Sequence, residues 1–385
     1  MIILGFVWQF GSAAHGIHSR KKGVCQSGRK AVPIVNRLIP CFDLHGSDSL
    51  TSNPSTRKST TFAAVDADHL PTSSLFAGDG LDPQIATIQP GGGVVMSLEL
   101  AWGKVRRPLL RTLRPGYVQK MASLRQGNRG PLPFEPVDPR DLKYYRNQET
   151  YWWADADDRF RWREAIPFAR AGLAELLLIG GFFLMLSAIA LWVWWPLAIA
   201  SFVVFCLVVW FFRDPPRQIP SEHGSVVSPA DGKIVQIEEI EDPEIGPAIQ
   251  IGIFLSIFNV HINRASLGGK VVAIRYRPGK FLNALRPESA RENENLDLVL
   301  ESQDIQQRRY RVRQITGQFA RRIVCWVRPG DVLSRGEQFG MIKLGSRTEL
   351  IIPRDRTLKI FVSVGDKVKA GSSLFARYGV DIEDR

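Results

Sequence analysis

The sequence predicts a mainly β, barrel-sandwich-like domain preceded by a transmembrane or re-entrant helical hairpin and a poorly structured N-terminal extension. Three observations carry this. Residues 176–212 contain no charged side chain, a run too long for one membrane pass of about 20 residues and just enough for two. After Phe211-Phe212-Arg213-Asp214-Pro215 the texture changes to short Val- and Ile-rich runs punctuated by Gly and Pro, as β-strands are. Before residue 95, Ser, Thr, Gly and Pro dominate and apolar pieces are short, which leaves little to bury. At 45% hydrophobic and 23% charged residues, the composition of the 385-residue chain is that of a globular protein. Its formal net charge of +12 points to an anionic partner. No nucleic-acid-binding signature is present, so an anionic phospholipid membrane is the expected partner, not nucleic acid.

In chain order, residues 1–95 form the low-complexity extension. Residues 1–10 are apolar but lack the basic flank of a secretory signal, residues 21–37 are basic and acid-free, and Met96 is a candidate translation start. A basic and aromatic membrane-proximal segment spans 96–171. Within it, residues 104–129 carry eight basic side chains and no acidic ones, which suits a membrane surface. The aromatics Tyr144, Tyr145, Tyr151, Trp152, Trp153, Phe160 and Trp162 fit either the bilayer interface or a small packed cap. The hairpin occupies 172–212, with Trp192, Trp194, Trp195 and Pro196 marking its turn; a pair of buried core helices is the other reading. Arg163 and Arg170 on one side, and Arg213 and Arg217 on the other, put both ends on the cytoplasmic face of the cell membrane.

Residues 213–385 form the β-rich domain, with strands expected at 232–237, 248–256, 270–276, 310–315, 323–327, 341–344, 348–352, 358–362 and 373–378. Residues 284–295 read as a polar, mobile loop. Pro329-Gly330-Asp331-Val332 with Gly336 recurs as Val364-Gly365-Asp366-Lys367-Val368 with Gly371, a weak repeat that fits two quasi-equivalent hairpins and resembles the Gly-Asp-x-Val turn of lipoyl and biotinyl carrier domains. Cys25, Cys41, Cys206 and Cys325 are scattered without CxxC spacing, which gives neither a metal site nor a disulfide framework.

The chemistry centres on residues 339–353, where two apolar runs meet at Gly345-Ser346. Glycine frees the backbone and leaves its carbonyl unhindered, so in a strained turn the Ser346 hydroxyl can attack the Gly345 carbonyl and turn amide into ester. Elimination then splits the chain between 345 and 346, and the serine remnant becomes a pyruvoyl group. Alone, the pair also reads as an ordinary hairpin turn. Two further segments decide for chemistry: Ser228-Pro229-Ala230-Asp231-Gly232 and Phe258-Asn259-Val260-His261-Ile262-Asn263-Arg264. With Leu344-Gly345-Ser346-Arg347 they resemble, in order and wording, the phosphatidylserine decarboxylases, specifically their short prokaryotic, archaetidylserine decarboxylase-like branch, from about residue 211 to 379.

That resemblance implies a zymogen whose cleaved small subunit, 346–385, stays with the large one, and a covalent pyruvoyl cofactor made from Ser346 as electron sink for converting phosphatidylserine to phosphatidylethanolamine and CO2. It also implies that Asp231, His261 and Ser346 share a triad logic in self-cleavage. Longer members carry two histidines in the His261 segment; here Arg264 stands in the second place and cannot act as a base, so His261 is expected to serve both cleavage and decarboxylation, with Asp231 holding its imidazole. Arg264, Lys280 and Arg347 are the candidate cations for the substrate phosphate. Two other readings use the same residues: a membrane-tethered serine hydrolase with Asp231, His261 and Ser346, and a noncatalytic barrel-sandwich carrier or adaptor.

Overall fold

The computed structural model describes residues 80–286, 288–304, 306–318, 322–343 and 346–379. The extension before residue 80, with Cys25 and Cys41, and Gly345 of the scission pair lie outside these. The described β-rich region is dominated by an eight-stranded curled sheet, in the order β13-β2-β3-β11-β7-β6-β5-β9. These strands are β2 (Gly232–Asp242), β3 (Gly246–Leu255), β5 (Gly269–Arg277), β6 (Asn295–Ser302), β7 (Arg309–Thr316), β9 (Val332–Leu333), β11 (Ser346–Pro353) and β13 (Lys367–Val368). Two three-stranded sheets complete it. One is β4 (Ile262–Arg264), β10 (Gln338–Lys343) and β8 (Arg322–Cys325), in the order β4-β10-β8; the other joins β1 (Ser225–Val227), β14 (Leu374–Tyr378) and β12 (Leu358–Ile360).

The period-2 pattern explains which face is dry. Ile251, Ile253 and Leu255 of β3, Leu296, Leu298 and Leu300 of β6, Tyr310 and Val312 of β7, and Leu350 and Ile352 of β11 all point into one core. The buried Tyr310 hydroxyl donates to the Leu267 carbonyl at 2.6 Å, the partner a buried phenol requires. The alternate residues form a ladder of charges instead. Asp297 accepts two bonds from Arg313, at 2.6 and 3.0 Å, and Asp242 two from Arg311, at 2.9 and 3.1 Å. Arg347 pairs with Glu349 beside it on β11 at 2.8 Å.

The repeat marks the two edges of the large sheet. Gly330 and Gly365 take φ of 97° and 104°, open to glycine and strained for other residues. Val271 and Ile234 donate their N–H groups to the carbonyls of Asp331 and Asp366, at 2.8 and 2.9 Å. So β9 closes on β5 and β13 on β2 in the same manner, which relates the two ends of the sheet by a pseudo-twofold.

Ahead of the sheets, α1 (Val94–Leu113) and α2 (Pro115–Leu124) lead to a cap. There Met121, Leu132, Leu142 and Trp153 pack together, and the Trp153 indole donates to the Met121 carbonyl at 2.8 Å. The aromatic segment is thus in part a small core, although Trp152 and Trp162 stay exposed. The extension also ends earlier than residue 95. Ile85 is buried in the main core and Ile88 in a second one: residues 80–82 lie along β5, bonded through Asp82 and Gly80 to Ile274, and Ile88 is held by backbone bonds to Tyr144 and Cys325.

The charge-free run folds as a helical hairpin: a π-turn at Leu176–Gly180, α3 (Gly181–Val193) and α4 (Trp195–Phe211). Trp194 breaks it in extended conformation, and Pro196 sits in the first turn of α4, where its missing N–H costs nothing. The seam uses small residues: Ala190, Ala198 and Ser201 are buried, and the Ser187 hydroxyl donates to the Ala198 carbonyl at 2.8 Å, the packing apolar helices use where water supplies no drive. The helical run Arg170–Val193, of 24 residues, is long and apolar enough to cross a bilayer; α4, at 17 residues, reaches about 25 Å.

Asp297→Ala removes the acceptor of Arg313 at a side chain only 1% exposed. Stability should fall by about 3–5 kcal/mol, the cost of an uncompensated buried charge. Thermal or denaturant unfolding in detergent checks this, and a loss under about 1 kcal/mol would show the ladder to be solvated.

Candidate active site

Ser346 opens β11 and pairs with Leu255 of β3 and Thr316 of β7. The strand before it, β10, belongs to another sheet, between β4 and β8. β10 and β11 thus lie in different sheets and do not pair with each other, so they are not the two arms of a hairpin. Ser346 is fully buried, and its Oγ has no hydrogen-bond partner among the described residues. Such a hydroxyl costs about 1–3 kcal/mol to bury, a cost with no structural return.

The surroundings are polar but engaged. Asn263 of β4 donates to Thr348 Oγ1 at 3.0 Å, and Gln314 of β7 donates to Asn263 Oδ1 at 2.8 Å, so β4 is tied to the strand Ser346 begins. Thr316 donates its N–H and hydroxyl to the Glu294 carbonyl, at 3.0 and 3.1 Å. Burial pushes the Glu294 carboxyl, whose side-chain partner is Tyr276, up to about 7.

His261 immediately precedes β4 and is fully buried. Its carbonyl accepts from Ile342 N–H at 3.1 Å, four residues before Ser346. Its Nδ1 lies 2.9 Å from the Asn259 carbonyl, which makes Nδ1 the protonated nitrogen and leaves Nε2 with the lone pair. The ring packs on Phe211 with centroids 4.5 Å apart. Burial first, then the Arg213 charge, hold the imidazole down at about 4 against the Asn259 bond, which raises it. At neutral pH it is an uncharged base.

Asp231 sits elsewhere than expected. Its Oδ1 accepts from Ala370 N–H at 2.8 Å and its Oδ2 from Arg217 at 2.9 Å; the described bond that orients the imidazole comes from Asn259. The three candidate cations for the phosphate each have a separate partner. Arg264 bonds to the Gly336 carbonyl at 3.0 Å and to Asp214 at 3.2 Å. Arg347 is spent on Gln236 and Glu349, and Lys280 lies on the surface with Glu292 at 2.8 Å. The sequence reading passed over Arg217 as a topology marker, Asn259 and Asn263 inside a motif, and Lys343, which joins Glu175 at the hairpin root to the strand entering the crossing. Only the motif wording could have flagged the asparagines, and an ion pair 168 residues apart in sequence leaves no local signal. Among the described residues no cluster could hold a metal ion. Burial pushes the Cys325 thiol up to about 12, which makes it inert.

Ser346 Oγ is buried without a hydrogen-bond partner among the described residues, and β10, which precedes it, is bonded through Ile342 N–H to the backbone carbonyl of His261; a hydroxyl and a histidine on neighbouring strands are the parts a nucleophile-and-base enzyme uses. The family model for phosphatidylserine decarboxylase matches residues 204–376. The phosphatidylserine decarboxylase proenzyme of Rhodopirellula baltica is 64% identical over 237 residues, 62% of this chain and 99% of that protein. The proenzyme of Syntrophus aciditrophicus is 44% identical over 219 residues, 56% of this chain and 96% of that protein. The chain belongs to the phosphatidylserine decarboxylase family.

A proton NMR titration should find the His261 ring neutral down to about pH 4. A midpoint at the ordinary 6.5 would show the ring to be solvated.

Proposed function

We infer that this protein is a carboxy-lyase that cleaves itself between Gly345 and Ser346 and then decarboxylates phosphatidylserine to phosphatidylethanolamine and CO2. The buried, unpartnered Ser346 Oγ at the crossing between sheets carries this reading. A hydroxyl kept dry and unbonded is poised to add to the preceding carbonyl as a base takes its proton. The Gly345–Ser346 C–N bond then breaks, the nitrogen gains a proton, and an ester joins the two chains. Loss of the residue-346 Cα proton with cleavage of the ester C–O bond frees the Gly345 carboxylate. Water then replaces nitrogen, which leaves as ammonia, and a pyruvoyl group caps the second chain. The interior fits that small group, since no other side chain claims the space at Ser346 Oγ by a hydrogen bond. Once formed, the pyruvoyl carbonyl supplies the electron sink that decarboxylation needs.

His261 is the base, neutral and with Nδ1 bonded to the Asn259 carbonyl. Asn259 sets its tautomer, while Asp231 acts at one remove by fixing Arg217 and the 370 loop. With Arg264 tied to Asp214, His261 is the histidine available for both steps. The hydrolase reading keeps Ser346 intact and leaves the likeness to decarboxylase proenzymes unexplained. The carrier reading leaves the buried hydroxyl without a purpose.

The membrane is the second half of the proposal, with the β-rich domain, 213–385, on the cytoplasmic side of the cell membrane. The hairpin enters the bilayer, and α1 lies on its surface. Val94, Leu98, Trp102, Val105, Leu109 and Leu113 form one exposed apolar stripe at helical spacing, flanked by Lys104 and Arg111, as an interfacial helix on anionic lipid requires.

Intact-mass measurement of active protein should show two chains, 1–345 and 346–385, the second with a blocked N-terminus; Ser346→Ala should give one folded, inactive chain. A single full-length species in active material would refute the pyruvoyl reading. His261→Ala should slow self-cleavage about 100-fold or more, as loss of a general base does, and abolish turnover in whatever fraction is cut. Normal cleavage with lost turnover would confine His261 to decarboxylation.

A further inference from the structure

Two large apolar side chains project from the turn that leads into His261. Ile257 and Phe258 are 47% and 59% exposed, in the connection between β3 and β4. The turn is firmly built. Asn259 Oδ1 accepts from the Ser256 N–H and hydroxyl, at 2.9 and 2.7 Å, and the Asn259 N–H donates back to the Ser256 carbonyl at 3.0 Å. A rigid turn that holds an isoleucine and a phenylalanine in the open forgoes the burial each would gain in a core.

The hairpin root shows what lies opposite. The Phe258 carbonyl accepts from the Trp210 indole at 3.2 Å and from Arg213 at 2.9 Å, and the Arg213 guanidinium lies 4.0 Å over the Trp210 ring. Trp210, itself half exposed, stands at the end of the charge-free run. An indole beside an arginine at the end of an apolar helix is the signature of a headgroup boundary. The turn is therefore continuous with the level at which the hairpin would leave the bilayer, and the cation there complements anionic headgroups.

We propose that the 256–259 turn is a lipid-inserting lip. Ile257 and Phe258 enter the acyl-chain boundary beside the hairpin root and hold the entrance at His261 against the headgroups, so that the lipid substrate is taken without leaving the bilayer. The occupant of this surface is the bilayer itself. The proposal rests on the decarboxylase reading for its consequence and on the hairpin for its geometry.

The test uses the full-length, self-processed enzyme and the double variant Ile257→Ser, Phe258→Ser, whose backbone bonds to Trp210 and Arg213 are kept. On phosphatidylcholine vesicles containing phosphatidylserine, kcat/KM should fall about 10- to 100-fold, the worth of one fully buried apolar side chain, since each of the two is already about half covered, with the loss mostly in KM. On a short-chain phosphatidylserine below its micelle threshold, activity should not change, and Phe258→Leu should restore most of the vesicle activity. Equal loss on both substrates would place these side chains inside the catalytic site and overturn the proposal, as would full activity on vesicles. A fluorophore on Phe258→Cys, with the other cysteines replaced by serine, decides independently of turnover. Quenching by nitroxides carried on the lipid chains supports insertion; quenching by aqueous quenchers alone, or shielding from both by a protein partner, overturns it. A wild type that decarboxylates neither substrate would refute the decarboxylase reading, while the quenching result would still decide the lip.

Discussion

The chain has to leave one sheet and enter another within two residues, and the active centre depends on that constraint. β10 is fixed on both sides by β4 and β8, and β11 on both sides by β3 and β7. Neither strand can shift to relax the link, because a slip by one residue would turn every core side chain of β11 outward. The first residue of β11 is thus delivered to the dry interior with its hydroxyl unsatisfied. The neutral state of His261 follows from the same dryness, since burial is the largest cause of its low affinity for protons.

The helical hairpin also forms part of this interior. Phe211 and Phe212 pack with Val260, Ile262, Val324 and Met341, so the end of an apolar helix is one wall of the β4-β10-β8 sheet. Glu175 at the other root holds Lys343 just before the crossing, with both side chains largely buried. Arg217, five residues beyond α4's C-cap, holds Asp231. The helical hairpin and the strands around Ser346 are one packed unit, and an account that treats residues 172–212 only as a tether misses two contacts, Phe211-Phe212 on the β4-β10-β8 sheet and Glu175 on Lys343.

What could be read from sequence follows the physics of each feature. The Val- and Ile-rich runs that became β2, β3, β5, β7 and β11 have local patterns, as does the hairpin with its Trp-Pro break. β6 was passed over although Leu296, Leu298 and Leu300 alternate, because the polar run before it and Asp297 within it resemble a loop; Asp297 is tolerated only because Arg313, on another strand, pairs with it. Charges were the least legible. Arg264 and Arg347 stand in the matched motifs and look like phosphate ligands, yet their partners Asp214 and Gln236 lie 50 and 111 residues away, a proximity that only the fold creates. Residues 80–88 are illegible for the same reason: a Gly-, Asp- and Pro-containing segment has no strand pattern of its own and takes its bonds from β5, Tyr144 and Cys325, all distant in sequence.

The position of β11 governs what the proposed cut before Ser346 would do to the two pieces. The shorter piece does not sit on the longer one as a lid; it supplies the strand through the middle of the eight-stranded sheet, paired with β3 along eight residues and with β7 along six, and then an edge strand and two strands of a separate sheet. Threading it in from outside would require the longer piece to part down its centre. The two products are therefore interwoven by the order of events, folding first and scission second, and mixing separately made halves would not be an equivalent route to the same molecule. Each copy is assembled once, as a single chain, and its later integrity depends on the kinetic persistence of that weave.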